Sequence, residues 1–197
     1  MKPSLAVVGA AGRMGKRILA LAVEGGYFEI AAAIEKTGQP DIGKDAGIAA
    51  GISPINVKIG GAYPARADVA IDFSQPQAAD ETIDYCRKNG VALVLGTTGL
   101  SADQHKKLKS AAEKIPVIYA TNMSIGMNML FSLVGKAAST LGGQYDIEIV
   151  EQHHRFKKDA PSGSAMTLAE NICKTTGRKF PGSLVFGRQG KEAPRKE

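Results

Sequence analysis

Residues 151–166 carry the side chains of this chain best suited to acid–base chemistry and anion binding. His153 and His154 lie side by side, and an imidazole takes up or releases a proton near neutral pH. Three basic side chains follow closely: Arg155, Lys157 and Lys158. This combination of proton donors and cations predicts a site for a small, multiply charged carboxylate.

A helix start signal lies at the end of the same segment. Ser162 is a favourable N-cap residue, and the small residues Gly163 and Ser164 let a ligand reach the first N–H groups of the helix. Two other interpretations of the histidine pair stay open here. One is a surface loop without a chemical role. The other is a metal site, which we do not predict because cations crowd the segment and no Cys or further His lies near.

A glycine-rich turn near the amino terminus predicts a nucleotide site. Residues 9–15 read Gly-Ala-Ala-Gly-Arg-Met-Gly, between a predicted strand (5–8) and a predicted helix (14–24). Glycines there let the backbone approach a pyrophosphate, and the helix N-terminus supplies N–H donors. Glu35 ends the next strand, where an acidic side chain can bind ribose hydroxyls, whereas Lys36 suits a 2′-phosphate. The choice between NADH and NADPH therefore stays open.

Three more loops follow predicted strands and are expected at the same edge of the sheet. They are Asp72-Phe73-Ser74, Gly96-Thr97-Thr98-Gly99 and Ala120-Thr121-Asn122-Met123. Each loop alone is typical of an ordinary turn, but their convergence favours a binding site. We expect the 96–99 loop to serve the nicotinamide end of a dinucleotide.

Strand-like and helix-like segments alternate through the first part of the chain. Beyond the first strand and helix, apolar runs predict strands at 30–34, 69–73, 91–95 and 117–120, and helices at 77–88 and 102–114. Residues 36–54 are rich in Gly, Pro and Ala and are expected to form a loop region. The alternation predicts parallel βαβ units, hence a Rossmann-type α/β dinucleotide-binding domain over residues 1–121.

The pattern changes near residue 122. A long apolar helix is predicted at 124–141, a half-buried strand at 145–150 and a second helix at 162–176. These segments predict an α+β substrate-binding and catalytic domain over residues 122–197.

Charge and composition narrow the function classes. The net charge of +6 lies wholly in residues 155–197, since residues 1–154 carry as many acidic as basic side chains. There is no Trp and no aromatic–basic interleaving, so we expect an anionic small molecule rather than a nucleic acid. No apolar run reaches the length of a membrane span, and no signal peptide is predicted. The two cysteines lack metal or redox spacing and are expected to be reduced, which suits the cytoplasm.

With its neighbours included, the histidine segment resembles the signature of the dihydrodipicolinate reductase family. That signature is close to Glu-x-His-His-x-x-Lys-x-Asp-Ala-Pro-Ser-Gly-Thr-Ala. The matching positions here are Glu151, His153, His154, Lys157, Asp159 through Gly163, Ser164 and Ala165. Only Ser164 differs, where the family usually has Thr, and the hydroxyl is kept. The glycine turn, the 72–74 and 96–99 loops and the stretch 122–126 also match, in family order.

The resemblance implies NAD(P)H-dependent reduction of 4-hydroxy-tetrahydrodipicolinate to tetrahydrodipicolinate, in the diaminopimelate route to lysine. The residues implied at the pyrophosphate are Gly9, Ala10, Ala11, Gly12, Arg13 and Met14, with Glu35 and Lys36 at the adenosine ribose. Those implied at the nicotinamide are Gly96, Thr97, Thr98, Ala120, Thr121, Asn122 and Met123. The resemblance makes His153 the proton donor, Lys157 its cationic partner, and His154, Gly163 and Ser164 the groups that hold the substrate carboxylates.

The same resemblance implies a homotetramer for full-length family members. Those members continue through more strands of the substrate domain, so residue 197 is expected to fall in a loop before a strand. Two other functions are weighed against the reductase: a dehydrogenase acting on sugars or amino acids, and a nucleotide-binding regulatory module. The His153–Lys157 spacing before a helix start argues against both.

Overall fold

The structure is a computed structural model that describes residues 1–155, 157 and 160–187. The chain divides into two compact units, of which the first is Met1–Thr121 and the second begins at Asn122.

The first unit is built on a parallel sheet of six strands in the order β3-β2-β1-β4-β5-β6. The strands are β1 (Ser4–Val8), β2 (Glu29–Ile34), β3 (Ile59–Gly60), β4 (Val69–Asp72), β5 (Ala92–Leu95) and β6 (Val117–Tyr119). The strand order reverses between β1 and β4, which are neighbours at the centre of the sheet. In open α/β sheets, ligands bind at such a reversal, outside the carboxyl ends of the strands.

Both faces of this sheet are covered, which explains why its strands are short apolar runs. Alternate residues of β1 enter two different core clusters: Ala6 and Val8 one, Leu5 and Val7 the other. The helices of the unit are α1 (Arg13–Glu24), α2 (Ala46–Ala49), α3 (Pro76–Asn89) and α4 (Ala102–Ala112). Helix α1 packs on one face of the sheet, whereas α3 and α4 pack on the other. The predicted Rossmann-type α/β fold is confirmed.

The region 36–54 was expected to be a loop, and this is wrong in one part. It contains the short helix α2, and the two-residue strand β3 that follows was also not predicted. The Asp45 side chain caps α2, since its Oδ1 accepts hydrogen bonds from the N–H groups of Gly47 and Ile48. It also accepts from the N–H of Ile55, so one carboxylate organises the whole turn.

The regular elements in the described part of the second unit are all helices. Helices α5 (Ile125–Leu141) and α6 (Gly163–Thr176) pack against each other, and a short 3-10 helix (Gly142–Gln144) follows α5. The two helices can approach closely because Gly135 of α5 has no side chain and lies against the Thr175 side chain of α6. No helix among the described residues is long and apolar enough to cross a membrane.

The strand predicted at 145–150 is wrong. The structure assigns no strand to these residues or to any other described residue of the second unit. Tyr145 and Ile149, two of the three side chains on the apolar side of the alternating pattern, are exposed. A strand needs a paired neighbour for its backbone groups, and the described residues of this unit supply none.

Candidate functional site

The glycine turn of the first unit has the geometry that a nucleotide requires. Gly9 has a φ of +78°, and a Cβ at this position would lie 2.7 Å from the carbonyl oxygen of Phe73. The N–H of Gly12 donates to Gly9 O at 3.0 Å, which closes the turn directly before α1. Gly12 is the N-cap residue of α1 and has no capping side chain, so the first N–H groups of the helix face the turn.

Gly15 allows the first turn of α1 to lie directly against the glycine turn. A Cβ on Gly15 would overlap the carbonyl oxygen of Gly9 and lie 2.7 Å from the Cα of Ala10. Both obstacles are backbone atoms, which cannot swing aside as a side chain could. The third glycine of the motif is therefore required by packing.

Glu35 lies beside this turn, as the sequence led us to expect. Its Oε2 accepts a hydrogen bond from the N–H of Ala11 at 3.1 Å, and its Oε1 accepts one from the N–H of Lys36 at 3.0 Å. The N–H groups of Gly9 and Ala10 both donate to Ile34 O, so the end of β2 holds the turn by backbone contacts as well. A carboxylate is thus fixed next to the helix N-terminus.

A cavity of about 370 Å³ connects the turn with two of the loops named from sequence. Its lining residues are Arg13, Met14, Phe73, Ser74, Gly96, Thr97 and Thr98. The structure therefore joins the start of α1 to the loops after β4 and β5. Phe73 and Ser74 were not among the expected cofactor residues. Their position directly after a central strand could have predicted that they line the cavity.

Residues 120–123 lie at the change from one unit to the next. The N–H of Ala120 donates to Leu95 O at 3.3 Å, which places Ala120 beside the carboxyl end of β5. Thr121 is the last residue of the first unit, and Asn122 and Met123 belong to the second. The expected contact of these four residues with a nicotinamide stays a prediction.

Behind the cavity wall lies a carboxylate with no access to solvent. Asp72 ends β4 and is fully buried. Its Oδ1 accepts hydrogen bonds from the N–H and hydroxyl of Ser74, at 2.8 and 2.6 Å, and from the Thr97 hydroxyl at 2.9 Å. Its Oδ2 accepts from the Thr82 hydroxyl at 2.7 Å. Four donors therefore converge on one carboxylate.

The histidine segment of the second unit is organised by Glu151. Its Oε2 lies 2.8 Å from Nε2 of His153, and its Oε1 accepts from the N–H of Ser162 at 2.8 Å. Ser162 is the N-cap residue of α6, as predicted, and its Oγ accepts from the N–H of Ala165 at 3.1 Å. One carboxylate thus connects His153 to the N-terminus of the helix.

These contacts lower the pKa of Glu151 to about 2. The largest cause is the Ser162 side chain, followed by His153 and the Ser162 N–H. The carboxylate is therefore ionised throughout the neutral range. Because it can only accept, the Nε2 atom of His153 carries the hydrogen of their shared bond.

This pKa shift predicts a pH-dependent contribution to stability. Folding lowers the Glu151 pKa from 4.5 to about 2, so the unfolded chain binds the proton more tightly. The contribution is complete above the unfolded value and is lost as the pH falls toward about 2. Glu151→Gln should therefore lower the thermal unfolding midpoint at pH about 6, and its difference from wild type should shrink by pH about 3. Glu170→Gln, an exposed carboxylate of α6, is the matched control. A Glu151→Gln difference that is constant with pH would contradict the assignment.

The other expected substrate residues lie close to this helix start. Gly163 is the first residue of α6, and Asn122 donates through Nδ2 to the Ser164 hydroxyl at 3.0 Å. The N–H of Lys157 donates to His154 O at 3.1 Å, which makes a tight turn after the histidine pair. Lys158 and Asp159, which belong to the sequence motif, lie outside the described residues.

Both halves of the chain match family models. The model for the N-terminus of dihydrodipicolinate reductase matches residues 3–123, and the model for its C-terminus matches residues 126–196. The chain is 44% identical over 196 residues to a 4-hydroxy-tetrahydrodipicolinate reductase of Acinetobacter baumannii, covering 98% of this chain and 71% of that protein. It is 42% identical to the enzyme of the same name from Alkalilimnicola ehrlichii, covering 99% of this chain and 74% of that one.

Solved structures agree with the fold. The dipicolinate-bound dihydrodipicolinate reductase from Paenisporosarcina sp. TG-14 superposes with a TM-score of 0.67 at 26% identity, over 98% of this chain and 72% of that chain. A myo-inositol 2-dehydrogenase from Lactobacillus plantarum has a TM-score of 0.50 at 12% identity, over 70% of this chain and 42% of that one. This second likeness supports the fold alone.

Proposed function

This chain belongs to the dihydrodipicolinate reductase family, and on that premise we propose that it reduces 4-hydroxy-tetrahydrodipicolinate to tetrahydrodipicolinate with NADH or NADPH. The reaction is a step of diaminopimelate and lysine biosynthesis. The observation that carries the proposal is that family models match both units, the one with the glycine turn and the one with the histidine segment.

The residues of the first unit fit a dinucleotide. The first N–H groups of α1, which no side chain caps, can accept a pyrophosphate, and Arg13 lines the cavity beside them. Glu35 is fixed at the turn, where ribose hydroxyls can donate to it, and the exposed Lys36 follows directly. When bound, the reduced nicotinamide supplies a hydride to the substrate ring.

We assign the nicotinamide end to the loop after β5. Gly96, Thr97 and Thr98 line the cavity together with Ser74. The loop offers backbone groups and hydroxyls that can hold a carboxamide. Ala120, Thr121, Asn122 and Met123 are proposed to complete this end, supported by the position of Ala120 beside Leu95 at the same sheet edge.

His153 is proposed to protonate the substrate after it has accepted the hydride. Glu151 engages Nε2, which leaves proton exchange with the substrate to Nδ1. Lys157, which follows in the same tight turn, is proposed to stabilise the negative charge that develops on the substrate.

The substrate carboxylates are proposed to bind at the start of α6. The Ser162 side chain accepts from the N–H of Ala165, so the N–H groups of Gly163 and Ser164, together with the helix dipole, are the ones proposed to favour an anion. The Ser164 hydroxyl, which accepts from Asn122, can turn its own hydrogen toward the ligand. His154 is proposed as the third group that holds the carboxylates.

Ser164 offers a test of this substrate assignment. Ser164→Ala should raise KM for the substrate about tenfold, because it removes one hydrogen bond to a charged group, while the Kd for NADH stays unchanged. Ser164→Thr keeps the hydroxyl and should remain close to wild type. Dipicolinate, the ligand named for the Paenisporosarcina enzyme, serves as an equilibrium probe in calorimetry. Equal dipicolinate affinity in wild type and Ser164→Ala would contradict the role of the hydroxyl.

The reaction itself is tested with enzymatically generated 4-hydroxy-tetrahydrodipicolinate. The protein, the substrate and NADH or NADPH should give a steady loss of the reduced-nicotinamide absorbance. Omitting the substrate is the control. A protein that binds the nucleotide but causes no substrate-dependent loss would contradict the proposed function.

Two properties of the whole protein are also proposals. We propose a cytoplasmic location, supported by Cys86 and Cys173, which are both buried and unpaired. We also propose a homotetramer, as the family resemblance implies. The exposed apolar side chains Ile125, Met129 and Leu133 of α5 support subunit contacts, and light scattering tests the mass.

A further inference from the structure

We propose that Asp72 is a positioning residue whose buried negative charge favours the oxidised, positively charged nicotinamide over the reduced one. The inference rests on the proposed function, because it places the nicotinamide in the cavity lined by Ser74 and Thr97. It assigns a role to a residue that contacts neither the solvent nor the cavity itself.

Asp72 accepts hydrogen bonds on both carboxylate oxygens and has no cationic partner among the residues that the structure describes. Four donors suit the ionised form, which can only accept. A buried charge without a counter-ion is costly, even when it is fully hydrogen-bonded. The hydrogen bonds account for the geometry of the side chain, and the charge adds a second property to the wall of the cavity.

The surrounding side chains leave this charge uncompensated. The Thr82 hydroxyl gives its one hydrogen to Asp72, so the Tyr63 hydroxyl donates to Thr82, 2.7 Å away. Burial raises the pKa of Tyr63, and the charge of Asp72 raises it further. Burial also raises the pKa of Cys86 to about 12, again with Asp72 contributing. Both groups therefore stay neutral. Among the described residues no cation forms an ion pair with Asp72, and the cavity lining adds one cation, Arg13.

The charge lies one hydrogen bond behind the cavity wall. Ser74 and Thr97 line the cavity, and both donate to the same oxygen of Asp72, at 2.6 and 2.9 Å. Asp72 thereby fixes the two loops that flank the cavity, one after β4 and one after β5. Its field also reaches the cavity through a region without solvent, where charges interact more strongly than in water.

An oxidised nicotinamide carries one positive charge that the reduced ring lacks. A fixed negative charge behind the cavity wall would therefore stabilise the oxidised ring selectively. The same charge assists hydride donation, because positive charge develops on the ring as the hydride leaves. Ser74 and Thr97 transmit the position of the carboxylate, while the discrimination between redox forms comes from its charge.

The test compares affinities for NADH and NAD⁺ by calorimetry in wild type and Asp72→Asn. The Kd for NAD⁺ should rise about five- to thirtyfold relative to the Kd for NADH, as expected for the loss of one partly screened charge behind the cavity wall. Affinity for ADP-ribose, which has the pyrophosphate but no nicotinamide, should stay within about twofold of wild type. Asp72→Ser is a second neutral variant. Its smaller side chain leaves space for water, which can accept the hydrogen bonds that Asp72 accepts in the wild type.

Thr82→Val is the matched control. It removes a donor to Asp72 but keeps the charge, so it should lower stability and leave the NAD⁺-to-NADH affinity ratio unchanged. Equal losses of NADH and NAD⁺ affinity in the neutral Asp72 variants would overturn the inference. So would the failure of both variants to fold, since the carboxylate would then serve folding alone. A wild-type protein that binds ADP-ribose but neither nicotinamide nucleotide would instead contradict the proposed function.

Discussion

Replacing His153 by Gln is expected to lower kcat about a hundredfold to a thousandfold while the Kd for NADH stays within about twofold of wild type. In the wild type, Nε2 of His153 lies 2.8 Å from the Glu151 carboxylate. The glutamine amide keeps an N–H donor for this carboxylate, so the local structure should be largely retained. An amide cannot exchange a proton near neutral pH, so the protonation step loses its donor. Steady-state kinetics and a separate nucleotide titration measure the two effects.

His105→Gln is the matched control for this substitution. His105 lies in α4 of the first unit, where its ring contacts that of Tyr119 edge-on with centroids 5.4 Å apart. The proposed chemistry gives it no part, so kcat should remain within about twofold of wild type. If His153→Gln lost kcat and NADH affinity by equal factors, His153 would serve cofactor binding or structure instead of proton transfer.

The second large effect is expected from Gly15→Ala. The added Cβ would overlap the carbonyl oxygen of Gly9 and crowd the Cα of Ala10, so the first turn of α1 must move away from the glycine turn. Overpacking of this kind costs about 1–3 kcal/mol of unfolding free energy. The same movement displaces the N–H groups proposed to hold the pyrophosphate, so nucleotide affinity should fall about tenfold to a hundredfold. Denaturant unfolding and NADH titration measure the two losses.

Gly60→Ala separates this effect from glycine replacement in general. A Cβ on Gly60 meets nothing within 4 Å, although the residue lies in the same sheet. Both its stability and its NADH affinity should therefore stay close to wild type. A Gly15→Ala protein that bound NADH as tightly as wild type would show that the approach of α1 to the turn is not needed for binding.

The sheet could be predicted because each of its longer strands is an apolar run bounded by turn residues. Burial on both faces of the sheet produces such runs, as at Leu5, Ala6 and Val7. The turn at 9–15 and the helix cap at Ser162 could also be predicted from the sequence, since each depends on residues that are adjacent in the chain. Strand β3 could not be predicted, because a strand of two residues shows no periodic pattern of apolar side chains.

The strand predicted at 145–150 failed for a different reason. Alternating hydrophobicity reports that one side of a segment suits burial, but a strand also needs a neighbour to pair with. Among the described residues of the second unit, no such neighbour exists. The residues do alternate, and the condition that is not met is a strand to pair with.

The burial of Asp72 also could not be predicted. After an apolar strand, an aspartate is typical of a solvated turn. Its donors Thr82 and Thr97 lie 10 and 25 residues further along the chain. Only the folded arrangement of β4, α3 and the loop after β5 brings them together.

The double contact of Glu151 limits how this scaffold can be altered. One of its oxygens engages His153 and the other engages the N–H of Ser162, so a shift of the helix start also shifts the proposed acid. A protein engineer who reshapes the start of α6 for a larger ligand would change the reactivity of the histidine as well. New specificity is better sought in residues that are proposed to contact the ligand and do not contact Glu151, of which Ser164 is the first to vary.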